Sequence, residues 1–237
     1  MWLKRLKDCT QCDFDKPFHP KARDISTRHV PQAPLSSDFS YIYNMYHILL
    51  QEDLPSISSS ALAEALDRLP DWRRELALKF KHEQGRKECA FAYLLLCRAL
   101  HEHFGLDEQP RFLLGEHGKP SLLGHADIHF NLSHCKQAIA CVVATHPVGV
   151  DVESIGRGNA ALMRHVLSEA ELDLVRRSPA PEVEFTRLWT QKEAIVKLTG
   201  RGIDDDLKNL LVKYADVKLC TQAFPEKGYV LTVAENG

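Results

Sequence analysis

At 237 residues and 44% hydrophobic content, the chain can bury one large core, or two small halves that share one, and is too short for a multidomain machine. Thirty Lys+Arg against 32 Asp+Glu give a formal net charge of -2, which excludes the global positive field that draws proteins to nucleic acid; an anionic ligand must be met by a local patch. No apolar run approaches the roughly 18 residues that span a bilayer, and the basic start Met1-Trp2-Leu3-Lys4-Arg5 has no apolar signal core after it, so we expect a cytoplasmic protein with no membrane partner.

Residues 1 to about 40 are rich in Lys, Arg, Asp, Ser and Pro without sustained periodicity, and read as a disordered extension. Met45 stands at the start of the first packed element, as an initiator would, so residues 1–44 are expected to be dispensable. Cys9 and Cys12 have the gap of a zinc knuckle, but no second pair follows and His19 and His29 are not at finger spacing. Seven cysteines is an odd number, and Cys89, Cys97 and Cys141 lie in apolar stretches, so no disulfide framework is expected.

Tyr41 to Leu50 alternates as a first strand. Ser60 is placed to cap a short helix carrying Leu62, Ala65, Leu66 and Leu69, which Pro70 stops. A long helix from about Gly85 to Phe104 is apolar on most of its circumference and ends at Gly105. Strands are predicted at Arg111 to Leu114, Ile128 to Leu132, Ala138 to Ala144 and Val148 to Val152. Ser168-Glu169-Ala170-Glu171 is a capping box opening a short helix, and Pro181 opens another that ends at Gly200. Val217 to Phe224 and Tyr229 to Ala234 flank a Lys227-Gly228 turn as a hairpin. The pattern divides into an N-terminal half, 41–146, and a C-terminal half, 147–237, with no repeat at solenoid period.

Four segments carry chemistry. In Val148-Gly149-Val150-Asp151-Val152-Glu153 the valines take one strand face and both carboxylates the other, half of a magnesium site, since Mg²⁺ takes hard oxygen ligands from one or two carboxylates, waters and phosphates. By itself an Asp-Val-Glu strand reads more simply as a solvated acidic face. Along Phe185 to Lys197 a helix buries Phe185, Leu188, Trp189 and Val196, with Glu193 and Lys197 one turn apart; this is either a surface ion pair or an acid for a metal beside a base for a phosphate. In His129-Phe130-Asn131-Leu132-Ser133-His134 the apolar residues face the core and the polar ones face out, with His134 at the strand end. Gly115-Glu116-His117-Gly118-Lys119-Pro120 is a turn that fixes an exposed lysine, and alone is only a loop. Asp204-Asp205-Asp206 is left unassigned as a solvated acidic run.

Gly-Lys-Pro at 118–120, Phe-Asn-Leu-Ser-His at 130–134, Val-Gly-Val-Asp-Val-Glu at 148–153 and Trp-Thr-Gln-Lys-Glu-Ala-Ile-Val-Lys at 189–197 stand in the order and spacing of the 4′-phosphopantetheinyl transferase superfamily. From about residue 45 the chain resembles its larger, surfactin-synthetase-activating (Sfp-like) branch. The resemblance implies an α/β (α+β) fold of two similar halves about a pseudo-twofold axis, with coenzyme A in the cleft between them. It implies a Mg²⁺-dependent enzyme that moves 4′-phosphopantetheine onto a serine of an apo acyl or peptidyl carrier protein, releasing adenosine 3′,5′-bisphosphate. By carry-over, Asp151, Glu153 and Glu193 ligate Mg²⁺. Lys197 and His134 contact phosphates, and Lys119 and Ser133 help hold the nucleotide end. Glu193 is the expected base for the carrier serine, with Lys197 beside it as the second catalytic residue. Among Arg73, Arg74, Lys79, Arg86 and Lys87, we take Arg73 and Lys87 for the adenosine phosphates, although the register near Glu83-Gln84-Gly85 is ambiguous. A monomer is expected. A non-catalytic protein that grips carrier domains or coenzyme A is the rival from another class, whereas a nucleotide phosphotransferase is disfavoured because no GxxxxGK[ST] or GxGxxG loop occurs.

Overall fold

The computed structural model describes residues 46–156, 158–201 and 206–237. The expected N-terminal extension, the Cys9/Cys12 pair, Tyr41 to Met45, Asp204 and Asp205 lie outside the described residues. In chain order the elements are β1 (Tyr46–Gln51), α1 (Ser59–Asp67), α2 (Asp71–Leu78), α3 (Glu83–Phe104), β2 (Phe112–Leu114), β3 (Pro120–Leu122), β4 (His129–His134), β5 (Ile139–Ala144) and β6 (Val148–Ser154). They continue with α4 (Ala160–Val166), α5 (Glu169–Arg177), α6 (Pro181–Thr199), α7 (Leu210–Lys213), β7 (Lys218–Phe224) and β8 (Tyr229–Glu235).

Local chemistry accounts for most boundaries. Ser168 Oγ accepts from Glu171 N–H while the Glu171 carboxylate accepts from Ser168 N–H, so the capping box forms as read and starts α5. Gly200 ends α6 at φ 66, a left-handed value that costs glycine nothing sterically. The cap of α1 is corrected. Ser58, extended at ψ 158, accepts from Ala61 N–H, whereas Ser60 lies within the first turn of the helix. Pro70 stands at the N-cap position of α2, a helix the sequence reading passed over because only Arg73 and Ala77 of Asp71-Trp72-Arg73-Arg74-Glu75-Leu76-Ala77-Leu78 are buried, leaving little apolar periodicity. The short β3 and α4 were passed over likewise.

The chain is a mixed α/β protein of two three-stranded antiparallel sheets, β1-β5-β4 and β6-β8-β7, with β2-β3 as a separate hairpin. In the first sheet Phe130 pairs with Val143 and Leu132 with Cys141; in the second Val150 pairs with Val233 and Val152 with Leu231. Helix α3 covers the first sheet, packing Leu95, Leu96 and Leu100 on Phe130, Leu132, Ile139 and Val143. The reverse face of β5, through Ala140 and Val142, together with the adjoining Ala138, meets Val148, Val150, Val152, Leu231 and Val233 in one interior. Strand β5 is therefore buried on both faces, which is why it reads as an unbroken apolar run. Helix α6 lies on the second sheet so closely that a Cβ at Gly149 would strike the backbone of Ala194 and Leu198. Glycine is required there because two backbones touch.

Strands β4 and β6 meet without a backbone ladder. Two side chains of β4 bridge them instead: Asn131 Oδ1 accepts from Val150 N–H at 2.9 Å and Ser133 Oγ accepts from Val152 N–H at 3.1 Å. The polar residues of β4 thus face this seam rather than solvent, Asn131 at 7% and Ser133 at 5% exposure, correcting the outward placement read from alternation.

Candidate active site at the seam

Three elements converge at the seam. Strand β6 presents Asp151 and Glu153 on the face opposite its valines, but that face is covered by α6, and Asp151 is only 3% exposed. The plainer expectation of a solvated acidic strand is thereby overturned for Asp151. Helix α6 brings Lys197, whose Nζ donates to Asp151 Oδ1 at 2.7 Å and to Ser133 Oγ at 2.8 Å. Strand β4 brings Ser133, whose hydroxyl donates to the same Oδ1 at 2.9 Å. Two of the three ammonium donors of Lys197 are committed to these partners.

Charge at this junction is unbalanced. Burial, and then the negative charge of Asp151, push Glu193 up to about 7; Lys197 opposes the rise and Glu153 adds to it. A carboxyl held near neutrality beside two further acids is short of positive charge. Asp151 Oδ2 is buried and has no hydrogen-bond partner among the described residues. A buried carboxylate oxygen left unsatisfied is costly unless something is meant to meet it.

Asp151, with an unclaimed oxygen, and Glu193, in a place where negative charge is undercompensated, have the chemistry of one or two ligands of a hard divalent cation. Among the described residues no group of three or more histidine, cysteine or acidic side chains stands gathered to enclose a metal ion.

The remaining predicted residues divide. His134, at the end of β4, lies with Nε2 3.2 Å from Glu88 Oε2 on α3 and is partly exposed beside the seam. Lys87, one position earlier on α3, is mostly buried and pairs with Glu83 at 2.9 Å. Gln84 ties the same helix end to Lys136 O, so the first two turns of α3 dock next to Ser133 and His134. Lys119 reaches the far end of α6: its Nζ donates to Leu198 O at 2.9 Å and Val148 O at 3.3 Å, its stem packs on Gly200, and burial lowers it to about 8. In this conformation it caps a helix C-terminus, where a cation is favoured. Arg73 is 2% exposed, donates through Nη2 to Cys89 O, and lies near the Trp72 and Tyr93 rings. The structure places it inside the α2–α3 packing, against the backbone of Cys89, one residue from the Glu88 that pairs with His134.

Lys192 has a role the sequence reading did not assign. Fully buried next to Glu193, it donates to Glu171 Oε2 at 2.8 Å, Leu207 O at 2.7 Å and Val166 O at 2.9 Å. It ties α6 to the ends of α4 and α5 and to the 207–209 turn, so Glu171 of the capping box serves twice. The signal was present, since position 192 falls on the stripe of Phe185, Leu188 and Val196, where a lysine must be paired if it is buried.

Comparison with known proteins matches residues 147–232, from the turn before β6 into β8, to the family model of the 4′-phosphopantetheinyl transferase superfamily. A 4′-phosphopantetheinyl transferase of Bacillus subtilis is 30% identical over 147 residues, 61% of this chain and 66% of that protein. The transferase psf-1 of Bacillus pumilus is 30% identical over 157 residues, 65% and 67% of the two chains. The transferase AcpT of Salmonella typhimurium is 35% identical over 145 residues, 56% and 67%. The matched region spans about two thirds of the length of these relatives.

Proposed function

We propose that this chain, which belongs to the 4′-phosphopantetheinyl transferase superfamily and is similar to its Sfp-like members, transfers the 4′-phosphopantetheine arm of coenzyme A to a serine of an apo acyl or peptidyl carrier protein. The observation that carries the reading is the junction of Asp151, Glu193, Lys197 and Ser133, where acids from a strand and a helix crowd one half-buried lysine and leave Asp151 Oδ2 unclaimed.

The carrier serine oxygen bonds to the pantetheine-side phosphorus, the pyrophosphate P–O bond breaks, and adenosine 3′,5′-bisphosphate leaves with the bonding electrons. Glu193 would accept the serine proton, directly or through a water. Asp151, Glu153 and Glu193 would hold Mg²⁺, which when bound offsets the charge of the pyrophosphate and of the transition state. Lys197 and His134 would meet phosphate oxygens, with Lys87 on the neighbouring helix end. Lys119 contributes by fixing the end of α6 and through it the height of Glu193 and Lys197 above β6. The reading includes a cytoplasmic monomer, since one chain supplies β4, β6 and α6; no helix among the described residues is long and apolar enough to cross a membrane.

The test is incubation of the purified chain with coenzyme A, Mg²⁺ and a panel of apo carrier proteins, followed by intact mass measurement. One phosphopantetheine added per carrier serine is expected. Coenzyme A binding with no mass gain on any carrier would assign the fold to the non-catalytic binding reading instead.

A further inference from the structure

We propose that Ser133 is a positioning residue whose hydroxyl fixes Asp151 Oδ1 and Lys197 Nζ so that Asp151 Oδ2 is delivered to a divalent cation, and that it is not itself a nucleotide contact. The inference rests on the reading that Asp151 is a cation ligand.

The argument is one of valence. A serine hydroxyl has one proton to give and two lone pairs to accept with. In this structure all three are taken. The proton goes to Asp151 Oδ1 at 2.9 Å, and the lone pairs receive Val152 N–H at 3.1 Å and Lys197 Nζ at 2.8 Å. Ser133 is 5% exposed, so water cannot readily replace a lost partner. A hydroxyl saturated in this way has nothing left for a phosphate or a ribose.

Its effect is on direction. Asp151 Oδ1 receives both the Ser133 hydroxyl and Lys197, which fixes the carboxylate plane by two bonds on one oxygen and leaves Oδ2 buried with no partner among the described residues. The backbone N–H of Val152, next in the chain to Asp151, is held by the same hydroxyl, so β6 cannot slide along β4 without breaking the arrangement. Outer partners that orient a metal-binding carboxylate typically change metal affinity about 10–100-fold when removed.

The test compares Ser133→Ala and Ser133→Thr with the unmodified chain in two binding measurements that need no turnover. Mn²⁺ alone is titrated by the loss of its free-ion electron paramagnetic resonance signal, and coenzyme A is titrated calorimetrically in EDTA. Ser133→Ala should weaken Mn²⁺ by about tenfold or more while coenzyme A affinity in EDTA falls by a clearly smaller factor, since Lys197 keeps its charge, and Ser133→Thr, which keeps the hydroxyl, should restore Mn²⁺ binding. Unchanged Mn²⁺ affinity in the alanine variant, a loss of coenzyme A affinity in EDTA as large as the loss for Mn²⁺, or a threonine variant indistinguishable from alanine would each overturn the assignment. Should Ser133→Ala not fold, Ser133→Cys takes its place, because its thiol keeps an atom against Val152 N–H but donates weakly to Asp151, and the same split is expected. A chain that binds Mn²⁺ with this dependence and transfers nothing to any carrier would sink the transferase reading and leave the role of Ser133 intact.

Discussion

Lys197 on α6 and Asp151 on β6 are joined across the seam, Nζ to Oδ1 at 2.7 Å, with both side chains largely withdrawn from solvent. The bond offsets one carboxylate, while burial and the charge of Asp151 still raise Glu193 to about 7. It also holds the helix that carries Glu193 to the strand that carries the other two acids. Three consequences for catalysis and stability, and one for coenzyme A binding, can be measured.

Glu193→Gln keeps the shape of the side chain and removes both its charge and its basicity. The fold is expected to survive, since neutral glutamine relieves rather than adds charge crowding. Turnover with coenzyme A and an apo carrier is expected to fall by about 10² or more, the scale of a lost general base, and excess Mg²⁺ should not restore it. Recovery at high Mg²⁺ would leave Glu193 a metal ligand only, and unchanged turnover would remove it from the chemistry.

Glu193 also sets a pH dependence of stability. In the folded chain its carboxyl stays protonated up to about 7, against 4.5 for the ordinary group, so between those values the folded state binds more protons than the unfolded one. Stability contributed by the neutral carboxyl is full below about 4.5 and is lost as pH rises through about 7. In EDTA, the melting temperature of the unmodified chain should therefore fall relative to Glu193→Gln between pH 5 and pH 8. Parallel curves for the two proteins would show that Glu193 titrates normally.

Lys192→Met removes the ammonium that joins Glu171, Leu207 O and Val166 O. It strands a mostly buried carboxylate, for which the usual cost is about 3–5 kcal/mol. Denaturant unfolding should show a loss of that order, and adding Glu171→Gln should recover part of it. A loss below about 1 kcal/mol, the range of an exposed pair, would mean that the buried pair contributes little.

Lys119→Met and His134→Ala separate two kinds of basic residue. Both are expected to weaken coenzyme A binding, His134 by losing a charged hydrogen bond of about 1.5–3 kcal/mol. Only Lys119→Met should also lower the melting temperature without ligand, because Lys119 caps α6 through Leu198 O. Calorimetric titration and thermal unfolding of each variant decide the matter. Equal melting temperatures would deny Lys119 its structural part, and unchanged coenzyme A affinity would remove either residue from the binding site.

What could be read without a structure was whatever local spacing controls. The capping box at Ser168, the glycine ends of α3 and α6, the hairpin of β7 and β8, and the acids of β6 and α6 all follow from contacts within a few residues, or from the order of motifs along the chain. Tertiary structure decided which groups meet. Alternation puts Ser133 and Asn131 on the polar side of β4, but only the approach of β6 turns that side into a buried seam. The sequence offers Arg73 as a basic residue for adenosine phosphates, and only the packing of α2 on α3 shows it buried against a helix carbonyl. Spacing pairs Glu193 with Lys197 along one helix, whereas in space the lysine crosses from α6 to Asp151 on β6 at 2.7 Å. The difference is physical: capping and periodicity are fixed by the chain's own geometry over one or two turns, while hydrogen-bond partners and charge balance are set by elements far apart in sequence.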